Sequence, residues 1–205
     1  MPPRDEQEFE QRRQQIIDGA LEAFSAKGFD GASNKDIAQA AKIASPGLIY
    51  HYFKDKLDLL HQMLEARMPV LHLLNEVEGM LDRPPEELLP ALALKIIRAY
   101  EQRPALAIIK VVFAEALRNP RVARMVLEIG PGRGLRLLAR YMEQQMDAGR
   151  LRRMDPHVAT RLFIGPLIAY TLTKTVFDDP ASHAIVQEQM ASEAAAVFLR
   201  GMAPE

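Results

Sequence analysis

Apolar positions along this chain recur at helical spacing, and no run alternates strictly enough to argue for a sheet. Ile16, Ala20 and Phe24 follow one another at four-residue steps, with Ile17 and Leu21 beside them. That pattern predicts a helix over 8–27, stopped by Gly28, with residues 1–7 left as a polar tail. Three helix starts are then packed into 33–58. Ser33 and Asp36 have the spacing of a capping box, Ser45 stands as a cap before Pro46 at the first helical position, and Asp55 with Asp58 repeats the box. From Lys56 the pattern predicts one long helix to Leu81, kinked at Pro69, where a backbone bond is lost and the ring meets the carbonyl of Glu65. After Pro84 and Pro85, helices are expected over 86–102, 104–118, 120–148, 156–177 and 183–201. "GPGRG" at 130–134 has neither the spacing nor the flanking strand of a phosphate loop, and reads as a broken or loosened stretch of helix.

The expected fold is therefore all-α, with about nine helices. A three-helix helix-turn-helix domain at 8–55 is joined by a long helix to a helical bundle, 56–205 in all.

The second short helix, beginning at Pro46, asks what its side chains face. At about 100° per residue, Ile49 and Phe53 stack on one side. Gly47, Tyr50, His51 and Lys54 share the other, and Tyr52 lies on the flank of the buried group. An outward face of two aromatic rings, a lysine and a glycine suits DNA. The groove admits one helix, phosphates accept hydrogen bonds from Tyr, Lys and helix-terminal amides, and a residue without a side chain permits close approach. The same face could instead cover a neighbouring helix, or dock a protein partner.

Composition narrows this only a little. Of 205 residues 48% are hydrophobic and 26% charged, with a net charge of −1, an ordinary soluble balance. Residues 27–56 hold five Lys and three Asp, a net of +2, which implies few phosphate contacts per subunit. No cysteine is present, so disulfides and thiolate metal sites are excluded, and a cytoplasmic location is expected. The five histidines never approach a metal-binding spacing; His61 and His72 share a helical face about 16 Å apart. No serine sits in a nucleophile elbow. An enzyme, a metal site and a cofactor are accordingly not expected.

"SPGLIYHYFKDKLDLL", with "IAQAA" upstream, resembles the DNA-binding domain of the TetR family of bacterial transcriptional repressors. The likeness is close over 33–58 and extends over the rest only as a plan of helices. It implies a homodimer that presents two reading helices to a palindromic operator and is released by a small molecule. It also implies roles. Ser33 and Lys35 would touch phosphate, Ser45 would cap the reading helix, and Pro46, Gly47 and Leu48 would approach base edges. Tyr50 and His51 would divide between phosphate and bases, with Lys54 beside them, and Lys56 would clamp the backbone. The turn is one residue longer than the family's commonest spacing, and Lys42, where a glycine is usual, becomes a further phosphate candidate.

In the remaining two-thirds, "RLFIGPLIAYTLTKTVF" has no polar stripe and needs cover on both sides, from its own bundle or from a second chain. A four-helix interface between two protomers is expected through Leu162, Pro166, Ile185, Met190, Val197 and Phe198, and a two-fold would suit half-sites about 34–36 Å apart. A pocket for a largely apolar effector is expected between the middle helices, with Phe113, Met125, Tyr141, Met142 and Tyr170 as lining candidates. Lys110, Glu115 and Arg118 read as an exposed charge pattern on one helix.

Overall fold

The computed structural model describes residues 4–68, 73 and 76–204, with side chains for all of these but 4, 5, 103–105 and 107. Among the described residues the elements are helical. They are α1 (Arg4–Gly31), α2 (Asn34–Ala40), a 3-10 turn (Pro46–Leu48) running into α3 (Ile49–Tyr52), and α4 (Lys56–Arg67). Then follow α5 (Pro85–Glu101), α6 (Arg103–Ala116), α7 (Pro120–Ile129), α8 (Pro131–Asp147), α9 (Pro156–Thr175), α10 (Pro180–Ala184) and α11 (Gln187–Gly201).

Several boundaries differ from those the sequence predicts, each for a local reason. The first helix begins by Arg4, so residues 4–7 are not tail. Its regular rod breaks at Gly28, as expected, because φ there is 74° and only glycine takes that conformation freely. The helix from Lys56 ends at Arg67. Met68 is extended (φ −90°, ψ 105°), the conformation forced on a residue that precedes proline. The chain therefore leaves the helix before Pro69, and the expected kink at Pro69, like His72, lies outside the described residues. Helical backbone returns at 76–78 and ends short of Leu81. The stretch 120–148 is two helices, broken within GPGRG as the sequence reading expects, at Gly130 (φ −118°, ψ −84°) with Pro131 starting the second. The last helix is likewise divided. Asp179 caps the short α10, Ile185 and Val186 are extended, and α11 follows.

The chain forms two compact units, divided elsewhere than at 55/56. The first takes 1–68 together with 107–129, and the second takes 69–106 with 130–205. In the first, α1 packs on α2 and α4, and α4 on α7. Ile16, Ile17, Phe24, Ile37, Ile49, Phe53, Leu59 and Leu60 are all buried there. Gly19 makes this packing possible, since a Cβ on it would lie 2.4 Å from the backbone nitrogen of Ala41. In the second unit α5 packs on α11, and α9 on α8, α5 and α11. Its core runs from Leu88, Leu89 and Ile97 through Tyr141 and Met142 to Phe163, Leu167 and Phe198.

Candidate nucleic-acid interface

The sequence builds the reading element from its caps outward. Ser33 accepts from the backbone of Asp36, and the Asp36 carboxylate accepts from Ser33 N at 2.9 Å and Oγ at 2.7 Å, closing the box at the start of α2. Lys27 adds an ion pair to Asp36 at 2.6 Å. The Lys27 and Ser33 hydrogen bonds hold the Asp36 carboxyl well below its ordinary range. Helix α2 ends in a Schellman arrangement, with Lys42 N donating to Gln39 O and Ile43 N to Ala38 O. Lys42 occupies the left-handed position of that motif, at φ 52°. A lysine is strained where glycine would not be. The five-residue turn after α2 thus keeps the glycine geometry without the glycine.

Ser45 then caps the Pro46 turn by accepting from Gly47 N at 3.2 Å. The reading rod is shorter than a regular helix, one 3-10 turn followed by one α turn, and Phe53 leaves it in extended conformation. Its two faces separate as the wheel predicts. Ile49 and Phe53 are each 2% exposed, whereas Tyr50 is 59% exposed and Gly47, His51 and Lys54 are also exposed. Tyr52 is half-buried, its ring 4.6 Å from that of Phe9 on α1. Gly47 is informative because its own fold does not demand it. Its φ is ordinary, and an added Cβ would meet only Ser45 Oγ, at 3.5 Å.

Of the eleven residues expected at the interface, Ser33, Lys35, Lys42, Ser45, Pro46, Gly47, Tyr50, His51 and Lys54 are exposed, while Leu48 and Lys56 are half-buried. Lys56 is not a free clamp. Its Nζ reaches the Asp30 carbonyl at 3.3 Å and lies 4.6 Å above the Phe29 ring. Burial lowers its pKa against the opposing fields of Asp30 and Glu115. One residue the sequence reading missed is Asn34, whose Nδ2 donates to Tyr50 Oη at 2.7 Å and fixes that ring against the start of α2. Sixteen positions separate the pair, and no local pattern signals such a contact.

The five candidate effector contacts are divided between the two units. Phe113 and Met125 belong to the first unit, and Phe113 is 53% exposed. Tyr141, Met142 and Tyr170 are core residues of the second. Tyr141 Oη donates to the Arg83 carbonyl at 3.0 Å and Tyr170 Oη to that of Ile185 at 3.1 Å, so both hydroxyls serve packing. The second unit does hold an open groove of about 810 Å³, lined by Arg136, Ala139, Arg140, Glu143, Asp155, Pro156 and His157. Charged side chains stand among its lining, and none of the five lines it.

Of the expected interface residues on α9 to α11, Leu162 (56% exposed), Val197 (60%), Pro166 and Ile185 face outward, and Met190 is half-buried. Phe198 does not. It is buried edge-on against Phe163, ring centroids 5.4 Å apart, and belongs to the core. Lys110 and Arg118 are exposed as expected, but Glu115 between them is only 4% exposed. Among the described residues no three His, Asp or Glu gather closely enough to hold a metal ion, and no helix is long and apolar enough to cross a membrane.

Known proteins place this architecture. Residues 16–63 match the bacterial regulatory proteins of the tetR family, and residues 87–203 match the C-terminal domain of AefR-like transcriptional repressors. The chain belongs to the TetR family. Among curated relatives, the HTH-type transcriptional regulator UidR of Escherichia coli is 30% identical over 116 residues, which is 56% of this chain and 56% of UidR. The match thus spans little more than half of that relative's length. HbdR of Aromatoleum is 29% identical over 182 residues, 88% of this chain and 77% of HbdR. A putative TetR-family regulator from Mesorhizobium loti, 26% identical, superposes with a TM-score of 0.76 over 94% of this chain and 97% of that one. FadR of Bacillus subtilis in complex with stearoyl-CoA shares the fold at 18% identity, with a TM-score of 0.74 over 92% and 98%. The family is one of transcriptional regulators, not of enzymes.

Proposed function

We propose that this protein is a cytoplasmic transcriptional repressor that binds a palindromic operator as a homodimer and is released by a small, largely apolar effector. The observation that carries the DNA part is the division of the reading rod. Ile49 and Phe53 anchor it in the core, while Tyr50, His51, Lys54 and a glycine that its own fold does not require point to solvent. A helix N-terminus opened by Ser45, Pro46 and Gly47 offers amides to phosphate, and the rings beside it reach base edges. Three exposed lysines, Lys35, Lys42 and Lys54, add charge along the same stretch.

The dimer rests on α9. Val158, Leu162, Gly165, Pro166 and Ala169 form an exposed, almost wholly apolar face on that helix, and Val197 extends it on α11, which packs against α9. Such a face is costly in water and is covered when a two-fold sets two copies together. Release by effector then requires a differential affinity for two dimer states of only about 1.4–2.7 kcal/mol for ten- to a hundredfold weakening.

Selecting duplexes from a random pool tests this reading. Recovery of a two-fold sequence, with binding that weakens steeply between low and high salt, is the expected result. No enriched duplex, or binding to a protein partner through the same face without salt dependence, would overturn it.

A further inference from the structure

We propose that the side chains of Asn34 and Tyr50 act as one unit that seats a single DNA phosphate, with Asn34 holding the Tyr50 hydroxyl so that its proton goes to the backbone of the duplex. The proposal rests on the DNA-binding reading above and divides the work at that surface. Asn34 Nδ2 donates to Tyr50 Oη at 2.7 Å. A phenolic hydroxyl has one proton to give and lone pairs with which to accept. Asn34 engages a lone pair, so the proton stays unspent, and the bond received polarises the O–H into a stronger donor. Base edges in the groove present donors and acceptors alike, whereas the non-ester oxygens of a phosphate only accept. The hydroxyl is therefore matched to the backbone, and the exposed ring is left to lie along the bases. Among the described residues, neither the Tyr50 proton nor the second amide hydrogen of Asn34 has an acceptor. Both can converge on the same phosphate.

A second observation removes the rival for this phosphate. The family resemblance gives a phosphate contact to Ser33, but the Ser33 hydroxyl is spent within the chain. It donates its only proton to Asp36 Oδ2 at 2.7 Å and accepts from Asp36 N at 3.2 Å. Lys27 holds the same carboxylate at 2.6 Å, so the cap is braced on its far side. Ser33 would have to break that cap to reach a phosphate. The next side chain along, Asn34, has no such commitment and stands between exposed Ser33 and exposed Lys35. Its bond to Tyr50 also restricts that ring before DNA arrives, so less side-chain freedom is lost on binding.

Duplex titrations of wild type, Tyr50→Phe, Asn34→Ala and the double variant test the seat, with helicity checked in each. They use the selected operator and copies carrying a neutral methylphosphonate at one backbone position of both half-sites in turn. Tyr50→Phe keeps the ring and removes only the hydroxyl. Each single variant should bind the operator at least about tenfold more weakly, as expected for a hydrogen bond to a charged group. The double variant should fall well short of the product of the two losses. Reselection with Tyr50→Phe should return the same sequence, since a phosphate contact carries no base information. At one methylphosphonate position wild type should lose at least about tenfold, and the variants little more than they have already lost. A changed base preference in Tyr50→Phe, losses that multiply in the double variant, or a methylphosphonate cost equal in wild type and variants at every position would overturn the seat. Wild type that binds no duplex would instead sink the DNA reading itself.

Discussion

At the scale of single residues, the site depends on side chains that do two jobs. Lys42 is the clearest. It sits at the left-handed position that ends α2, at φ 52°, and its side chain is exposed. A bulky L-residue there is strained, whereas glycine is not, although glycine also loses more entropy on folding. Lys42→Gly should therefore raise stability by roughly 0.5–1 kcal/mol, a melting shift of about 1–3 °C by calorimetry, while weakening duplex binding through the lost charge. A lower melting temperature would contradict the strain. The family resemblance puts Lys42 where a turn glycine is usual, and the structure adds that Lys42 adopts the left-handed conformation glycine would take. Asn34 was not legible, because its bond to Tyr50 is made across the fold.

At the scale of elements, most caps and helix spans were legible, and the point where the helix from Lys56 stops was not. Ser33–Asp36 closes the full box and Ser45 caps as its spacing predicts, whereas Asp55–Asp58 forms only half of the expected box, Asp55 accepting from Asp58 N while the Asp58 carboxylate accepts from Lys54 N instead. The helix from Lys56 stops at Arg67 because the residue before Pro69 goes extended, an effect that periodicity cannot register. Glu115 was misread for the same kind of reason: a charge is assumed exposed until the packing of other elements is known. The first cap also has a pH signature. Asp36 is held below its ordinary pKa of 3.8 by its bonds to Lys27 and Ser33. Its contribution is therefore complete above pH 3.8 and lost as acid protonates it in the folded state. Acid unfolding of Asp36→Asn, followed by circular dichroism, should begin from a lower stability at neutral pH and fall less steeply below pH 4. An unchanged acid limb would refute the role of this cap.

At the scale of the whole molecule, the open question is what covers α9. Its outward face was expected to be covered on both sides, and Leu162 at 56% exposure with Val197 at 60% leaves one side bare in a single chain. Phe198, expected beside them, instead closes the core on Phe163, since a helix as amphipathic as α11 can bury only one stripe. Leu162→Glu with Val197→Glu should give a helical monomer by light scattering and weaken operator binding at least about tenfold, because two linked rods bind far better than one. A dimer that survives both charges would place the interface elsewhere.

The central claim is that the Gly47–Tyr50–His51 side of the reading rod meets DNA, and a duplex titration tests it most directly. Using the selected operator and fluorescence anisotropy, wild type is compared with Gly47→Ala and Tyr50→Ala, with helicity and dimerisation checked in each. Neither side chain is needed for the core, so folding should persist. Gly47→Ala should weaken binding because the added methyl group projects toward the duplex, and Tyr50→Ala should cost about 1–3 kcal/mol. Full operator affinity in both variants would contradict the account.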